Sequence, residues 1–200
     1  MKKTKNKKPI PIQKLLNKSL IYSRDFRDNG YPSSLLSYYQ NQGLIQKVER
    51  GLYCNVQKPP KIDFKWEDLV YIVLSIPNGV ITGISALDIY DLTDEIPRFH
   101  WIAIPNNTSI GSRPSVTVIR TRNHELGLSS IKIGDIEVPI YEKERILPEA
   151  FKLLSRETAI KALKEAFRSQ KKCPDVDKLV DYSRELRINI IPYLEVVTTT

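Results

Sequence analysis

The chain has 200 residues, of which 27% are charged and 41% hydrophobic, a composition that excludes a wholly disordered protein. The formal net charge of +8 is concentrated in residues 1–60, which hold twelve Lys and Arg against three acidic residues. Cys54 and Cys173 lack the spacing of a zinc site or a disulfide framework, and no apolar run is long enough to span a membrane. We therefore expect a cytoplasmic protein without metal or cofactor, whose concentrated positive charge indicates a nucleic-acid partner.

The charge boundary predicts two domains joined by a short linker. Residues 1–9 are expected to form a basic flexible arm, 10–57 a small first domain, 58–62 a linker with two prolines, and 63–200 a larger domain. The arm contains Lys7 and Lys8, which we expect to add general, salt-sensitive affinity for DNA. The alternative is that the arm serves solubility alone.

The first domain begins with three predicted helices. Apolar residues at helical spacing predict a helix over 10–20, and Ser23 is expected to cap a second helix over 24–28 that ends at Asn29 and Gly30. Pro32 is then expected in the first turn of a third helix, which runs from Pro32 to Asn41 and turns Leu36 and Tyr39 toward the core. A short turn between the second and third helices is typical of a helix-turn-helix motif.

A predicted hairpin completes this domain. Gly43 closes the third helix, 44–48 is expected to form a strand and 52–54 the returning strand, and Glu49, Arg50 and Gly51 form the turn between them. Helix, turn, helix and basic-tipped hairpin together predict a winged helix-turn-helix.

The third helix and the hairpin supply the predicted DNA contacts. Small polar side chains and one tyrosine share a face of the helix that suits base edges and phosphates, and two cations on the hairpin suit phosphate or the minor groove. The predicted DNA-binding residues are Ser33, Ser34, Ser37, Tyr38, Asn41, Lys47 and Arg50, with Lys7 and Lys8 in the arm. The alternative is that this helix face is simply solvated.

Several segments in the same order resemble the AbiEi-type antitoxins. The sharpest is the Arg-Gly-Leu-Tyr element within 47–53, which follows a similar segment over 30–45. The resemblance continues through 80–87, 101–105, 133–141 and 190–195, although Glu142–Leu147 departs from the Lys-Thr pair that usually opens the helix there. It implies an antitoxin and autorepressor of a type IV, abortive-infection toxin-antitoxin operon that acts in phage defence.

The resemblance also implies how each domain would act. The first would bind double-stranded DNA at the protein's own promoter, as inverted repeats, and the second would neutralise a nucleotidyltransferase toxin without necessarily forming a stable complex with it. A stand-alone winged-helix regulator is the alternative, and a metal-dependent nuclease is a third hypothesis. A nuclease would need carboxylates around a metal, and Asp135 and Glu137 are the nearest pair.

The larger domain is predicted to be a mixed α+β fold. Helices are expected over 67–76 and 84–90, then strands over 99–104, 116–121, 131–133 and 136–141 with a turn at Gly134 and Asp135, then helices over 143–154, 158–169, 175–186 and 190–196. We predict structural roles for His100 and His124, a turn-forming role for Asp135, a solvent-facing strand position for Glu137, and no catalytic residues. A possible basic surface comprises Arg120, Arg122, Lys161, Lys164 and Arg168, with a solvated, charge-balanced surface as the alternative.

Overall fold

A computed structural model describes residues 9–168 and 173–198 as a mixed α+β protein with two sheets. The chain divides into two compact units between Ser75 and Ile76, with Ile133–Ile136 grouped in the first unit. The first unit therefore extends past the linker expected at 58–62. The predicted arm residues Lys7 and Lys8 lie outside the described residues.

The first unit packs short helices against a small antiparallel sheet with strand order β1-β3-β2. Its elements in chain order are α1 (Ile12–Leu16), β1 (Leu20–Tyr22), α2 (Ser23–Asp28), α3 (Ser34–Asn41), β2 (Ile45–Glu49), β3 (Leu52–Asn55), a 3-10 turn (Phe64–Trp66) and α4 (Glu67–Ser75). Apolar residues hold this arrangement in two clusters, one of Leu15, Ile21, Phe26, Leu36 and Ile45, the other of Leu20, Leu52 and Tyr71. Tyr71 belongs to α4, so this helix shares the core of the first unit.

The start of the first unit differs from the sequence prediction. The helix expected over 10–20 ends at Leu16, and Leu20 begins β1, which pairs antiparallel with β3 in the register Leu20 to Cys54. Ser23 is the first helical residue instead of a side-chain cap, and its N–H donates to the Gly51 carbonyl over 2.9 Å. The helix prediction was wrong because Leu20 satisfies either periodicity and the strand forms only through its partner β3. The cap prediction was wrong because the helix begins one residue earlier, with Tyr22 at the N-cap position and no side-chain cap.

The second unit is built on a five-stranded sheet of order β6-β5-β4-β8-β7. Its strands are β4 (Val80–Ile81), β5 (His100–Pro105), β6 (Val116–Thr121), β7 (Leu128–Ile133) and β8 (Ile136–Tyr141). β4 lies antiparallel to β5 and parallel to β8, and β5 lies parallel to β6, which leaves β6 at one edge. β4 was not predicted, and β7 begins three residues earlier than expected.

Among the residues that the structure describes, five helices complete the second unit, and α6 is central among them because it packs against α5, α7 and α8. They are α5 (Gly83–Ile89), α6 (Lys143–Leu153), α7 (Arg156–Arg168), α8 (Val176–Glu185) and α9 (Ile191–Thr198). These match the predicted helices within two residues at each end. Ala159, Ala162, Leu163 and Ala166 bury one face of α7, as its helical periodicity requires.

Candidate nucleic-acid interface

Helix α3 has one buried face and one exposed polar face. Leu36 is 2% exposed and belongs to the core cluster, against which Leu35 and Tyr39 also pack. The opposite face carries the residues that the sequence predicted for DNA contact, all of them exposed: Ser34, Ser37, Tyr38 and Asn41 along the helix, and Ser33 immediately before it. Their spacing places the four helical side chains in one row. The structure therefore brings the α3 residues together as one surface.

Tyr38 gives this surface an aromatic side chain. It is 55% exposed, and its ring lies edge-on to Tyr39 with the ring centroids 5.3 Å apart. The half-buried Tyr39 thereby supports a neighbour that remains open to solvent. An exposed aromatic ring with a hydroxyl can stack on a sugar or base and donate a hydrogen bond.

A tight turn joins α2 to α3 and sets the position of the exposed face. Gly30 adopts φ +79° and its N–H donates to the Arg27 carbonyl, after which the Tyr31 N–H donates to the Phe26 carbonyl over 2.9 Å. The rings of Phe26 and Tyr31 also meet edge-on at 6.0 Å. Because Phe26 is buried, the turn and the start of α3 are fixed to the core rather than held by the backbone alone.

The hairpin of β2 and β3 carries the two predicted cations. Lys47 pairs across the strands with Tyr53, a bulge separates it from Glu49, and Arg50 and Gly51 form the tip. The side chains of Lys47 and Arg50 are exposed and form no ion pair with any described residue. Their charges are therefore available to an anionic partner.

The hairpin tip is tied to α2 through Gly51. This residue has φ +78°, its carbonyl accepts from the Ser23 N–H, and a Cβ there would lie 3.0 Å from the Ser23 Oγ. Glycine at this position therefore avoids both the strain of a positive φ and the close approach of a Cβ to Ser23. The backbone N–H of Arg50 donates to the Glu49 carboxylate over 3.0 Å, which further orders the tip.

The five predicted basic residues of the second unit divide between two cavities. Arg120 and Arg122 line a cavity of about 710 Å³, whereas Lys161, Lys164 and Arg168 line one of about 620 Å³ beside α7. Hydrogen bonding to Glu157 at 2.7 Å raises the pKa of Lys161, and Arg168 lies 3.8 Å from Glu165. The α7 cations are thus partly balanced by their own helix.

Sequence reasoning missed a buried charged group in α6. Arg145 is fully buried, stacks its guanidinium 3.5 Å from the Tyr141 ring centroid, and donates to the carbonyl oxygens of Asn123, at 2.5 Å, and Leu126. Burial is the largest influence on the Tyr141 hydroxyl and raises its pKa. The i,i+4 spacing of Arg145 and Glu149 was a visible signal, but it could not distinguish a buried pair from a surface pair.

The residues considered for catalysis have structural partners. His124 is 8% exposed, with Nε2 2.8 Å from the Asn78 carbonyl oxygen. Asp135 accepts from the Lys61 N–H over 2.8 Å, and Glu137 accepts from the Ser130 hydroxyl over 2.5 Å. In the part of the chain that the structure describes, no three His, Cys, Asp or Glu residues are grouped as a metal site would require.

Comparison with known proteins does not assign this chain to a family. No protein-family model matches the chain, and a search of curated proteins finds no match. Among residues 9–168 and 173–198, no helix combines the length and apolar character needed to cross a membrane.

Proposed function

We propose that the first unit contains a winged helix-turn-helix that binds double-stranded DNA, with α3 in the major groove and the β2–β3 hairpin as the wing. The order α1, β1, α2, α3, β2, β3 and the sheet order β1-β3-β2 support this assignment. The observation that carries it is the exposed row on α3, which is followed directly by a hairpin whose two cations, Lys47 and Arg50, form no ion pair with any described residue. Such a combination provides side chains for both base edges and phosphates.

The wider proposal is that the chain is an antitoxin and autorepressor of a type IV toxin-antitoxin operon. It rests on the resemblance of the Arg-Gly-Leu-Tyr element and the segments that follow it to AbiEi-type antitoxins. In this account the first unit represses the operon and the second counters a nucleotidyltransferase toxin. A regulator that works without a toxin would use the first unit in the same way.

DNA binding is tested by titrating the full chain with its own upstream duplex and with a scrambled duplex of equal length. Measurements at about 50 and 200 mM salt separate specific contacts from charge attraction. Specific recognition predicts tighter binding to the upstream duplex at both salt concentrations. Equal affinity for both duplexes, or none, would contradict the proposal.

The wing is tested with Arg50→Ala and with Lys47→Ala. We expect Arg50→Ala to cost about 1–3 kcal/mol if the side chain reads a base, or to reduce the salt slope by about one if it contacts phosphate. Lys132→Ala is the matched control for Lys47→Ala, because Lys132 is an exposed lysine on β7. If the Lys132→Ala control loses as much affinity for DNA as the wing variants do, the wing is not part of the DNA-binding surface.

The antitoxin role needs a separate assay. In cells whose growth is inhibited by a nucleotidyltransferase encoded beside this gene, co-expression of this chain should restore growth. The Arg50→Ala variant should restore growth equally, because neutralisation is assigned to the second unit. A chain that binds its promoter but does not restore growth would instead be a stand-alone regulator. The two halves of the proposal can therefore fail independently.

A further inference from the structure

The cavity of about 710 Å³ in the second unit has a mostly cationic set of charged side chains. Five cations line it: Arg120, Arg122, Lys152, Arg184 and Arg187. Among the described residues, the carboxylates of Glu149 and Glu185 line it as well, which leaves a net charge of +3. Its volume lies in the range of about 300–1,000 Å³ that is typical of small-molecule sites.

Three of these cations have no partner in the part of the chain that the structure describes. Within residues 9–168 and 173–198, the side chains of Arg122, Lys152 and Arg187 form neither an ion pair nor a hydrogen bond, and all three are exposed. Arg120, in contrast, donates to the Thr108 carbonyl over 2.5 Å. Arg184 lies 3.2 Å from Asp181 in an exposed pair, which contributes little stability.

The carboxylate of Glu149 does little to neutralise these cations because it is already engaged. One oxygen accepts from the Thr82 hydroxyl over 3.0 Å, and the other lies 3.6 Å from the buried Arg145 guanidinium. Glu149 is itself only 6% exposed. The excess positive charge of the cavity is therefore greater than a simple count of its lining suggests.

The 620 Å³ cavity beside α7 provides a contrast within the same unit. Its three cations, Lys161, Lys164 and Arg168, face four acidic residues, Asp91, Asp94, Glu95 and Glu165. That lining carries a net charge of −1 and is of the self-balanced kind expected for an ordinary protein surface. The excess of cations is thus a property of the larger cavity and not of the whole unit.

The ends of helices and the edge of the sheet explain why some of these cations occur, but not why they all line one cavity. Lys152 and Arg184 lie in the last turns of α6 and α8, where cations favour the helix dipole. Arg120 lies on the edge strand β6, where charge discourages pairing with another chain. Neither reason requires these elements to direct their cations into one cavity.

We propose that this cavity binds a polyphosphate anion, either the triphosphate of a nucleotide or a free inorganic polyphosphate. Arginine guanidinium groups match phosphate oxygens in a bidentate geometry, and several such groups favour an anion with more than one phosphate. Asn106 also lines the cavity, and its side chain has no hydrogen bond within the described residues, so it is available to a ribose or base. This site is independent of the proposed DNA-binding surface.

The test is calorimetric titration of the full chain with sodium tripolyphosphate and with ATP, without divalent cations, at constant ionic strength. Arg122→Glu and Arg187→Glu each reverse an unpaired charge in the cavity. Lys164→Glu is the matched control, since it makes the same charge change at an exposed, unpaired lysine on α7. Thermal unfolding of each variant without ligand verifies that it is folded.

We expect one tripolyphosphate to bind per chain and each cavity variant to weaken binding by about tenfold or more, with the control unchanged. Equal affinity for ATP would assign recognition to the phosphates, whereas tighter ATP binding would add a nucleoside contact; both support the proposal. Absence of binding by the folded wild-type chain, or equal weakening by Lys164→Glu, would overturn it. Loss of duplex DNA binding by Arg122→Glu without any tripolyphosphate binding would also overturn it and assign the cavity to nucleic acid.

Discussion

The backbone N–H of Ile10 donates to Oδ1 of Asn29 over 2.7 Å. The Tyr31 hydroxyl donates to the carbonyl of Ile10 over 2.9 Å, and Nδ2 of Asn29 donates to the Asp25 carbonyl over 2.8 Å. Asn29 thus links the start of the described chain to the last turn of α2 and to the turn that leads into α3. One amide side chain orders three segments beside the proposed recognition helix.

Asn29→Ala should therefore destabilise the first unit. It removes two hydrogen bonds, and we expect the free energy of unfolding to fall by about 1–2 kcal/mol. Urea unfolding measures the change. Asn106→Ala is the control, because that exposed amide has no hydrogen bond within the described residues and should change stability by less than about 0.5 kcal/mol. Equal effects of the two substitutions would contradict a structural role for Asn29.

Gly134 and Gly43 separate the cost of backbone conformation from the cost of contact. Both adopt positive φ, +63° and +67°, but a Cβ at Gly43 would meet nothing within 4 Å, whereas one at Gly134 would lie 1.6 Å from the Lys61 carbonyl oxygen. We expect Gly43→Ala to cost about 1–2 kcal/mol. Gly134→Ala should cost about 2 kcal/mol more, because the backbone around Lys61 must move. Thermal unfolding measures both variants. Equal losses of stability would show that the contact between residue 134 and the Lys61 carbonyl is unimportant.

Tyr38 and Tyr39 are adjacent tyrosines with different expected roles. Tyr38→Ala should weaken binding to the upstream duplex by about 1–3 kcal/mol and change stability by less than about 0.5 kcal/mol, because its side chain is exposed. Tyr39→Ala should cost about 2 kcal/mol of stability, because its side chain packs on the core cluster of Leu36. DNA titration and urea unfolding of both variants make the comparison. Unchanged specific affinity in Tyr38→Ala would exclude this residue from the interface.

Local patterns predicted the elements whose residues carry strong signals of their own. The turn at Glu49, Arg50 and Gly51 was recognisable because a glycine follows two charged residues between two short strand-like runs, and the structure gives this glycine a φ of +78°. The exposed row on α3 followed from helical spacing alone, because Leu36 fixes which face is buried. The predicted surface on this helix therefore needed no knowledge of the rest of the chain.

Long-range pairing determined what the sequence did not reveal. Leu20 and Val80 belong to strands of three and two residues, each of which exists through its neighbours in the sheet rather than through its own periodicity. The cavity that joins Arg122 to Arg187 depends on the segments that follow β6 and α8, and these two arginines are 65 residues apart in the chain. No local pattern could have brought those cations together.

Arg145 should be among the most sensitive residues of the second unit. Arg145→Leu leaves the buried carboxylate of Glu149 without its cationic partner, and we expect a loss of about 3–5 kcal/mol. The double variant Arg145→Leu with Glu149→Leu should recover part of that loss, because both charges are then removed. Urea unfolding of the single and double variants measures the coupling. Additive losses would show that the pair does not act as a unit.

Glu142 links α6 to α8 and should make stability depend on pH. Its carboxylate accepts from Lys178 Nζ at 2.8 Å and from the Tyr182 hydroxyl at 2.8 Å. Burial raises the pKa of Glu142, but the hydrogen bonds from Lys178 and Tyr182 outweigh it and hold the pKa below the usual 4.5. Because the folded state has the lower pKa, ionised Glu142 contributes stability above the unfolded-state value and loses it as pH falls through the folded-state value.

Glu142→Gln should accordingly be less stable than wild type at neutral pH, and the difference should shrink as pH falls below about 4.5. Lys178→Gln should produce a similar pH-dependent difference, since it removes the same pairing from the other side. The double variant should lose no more stability than the sum of the two single losses, because both substitutions remove the same interaction. The test is to measure the unfolding free energies of these proteins from neutral to acidic pH. If the difference between wild type and Glu142→Gln stays constant across this range, Glu142 contributes through packing instead of through its charge.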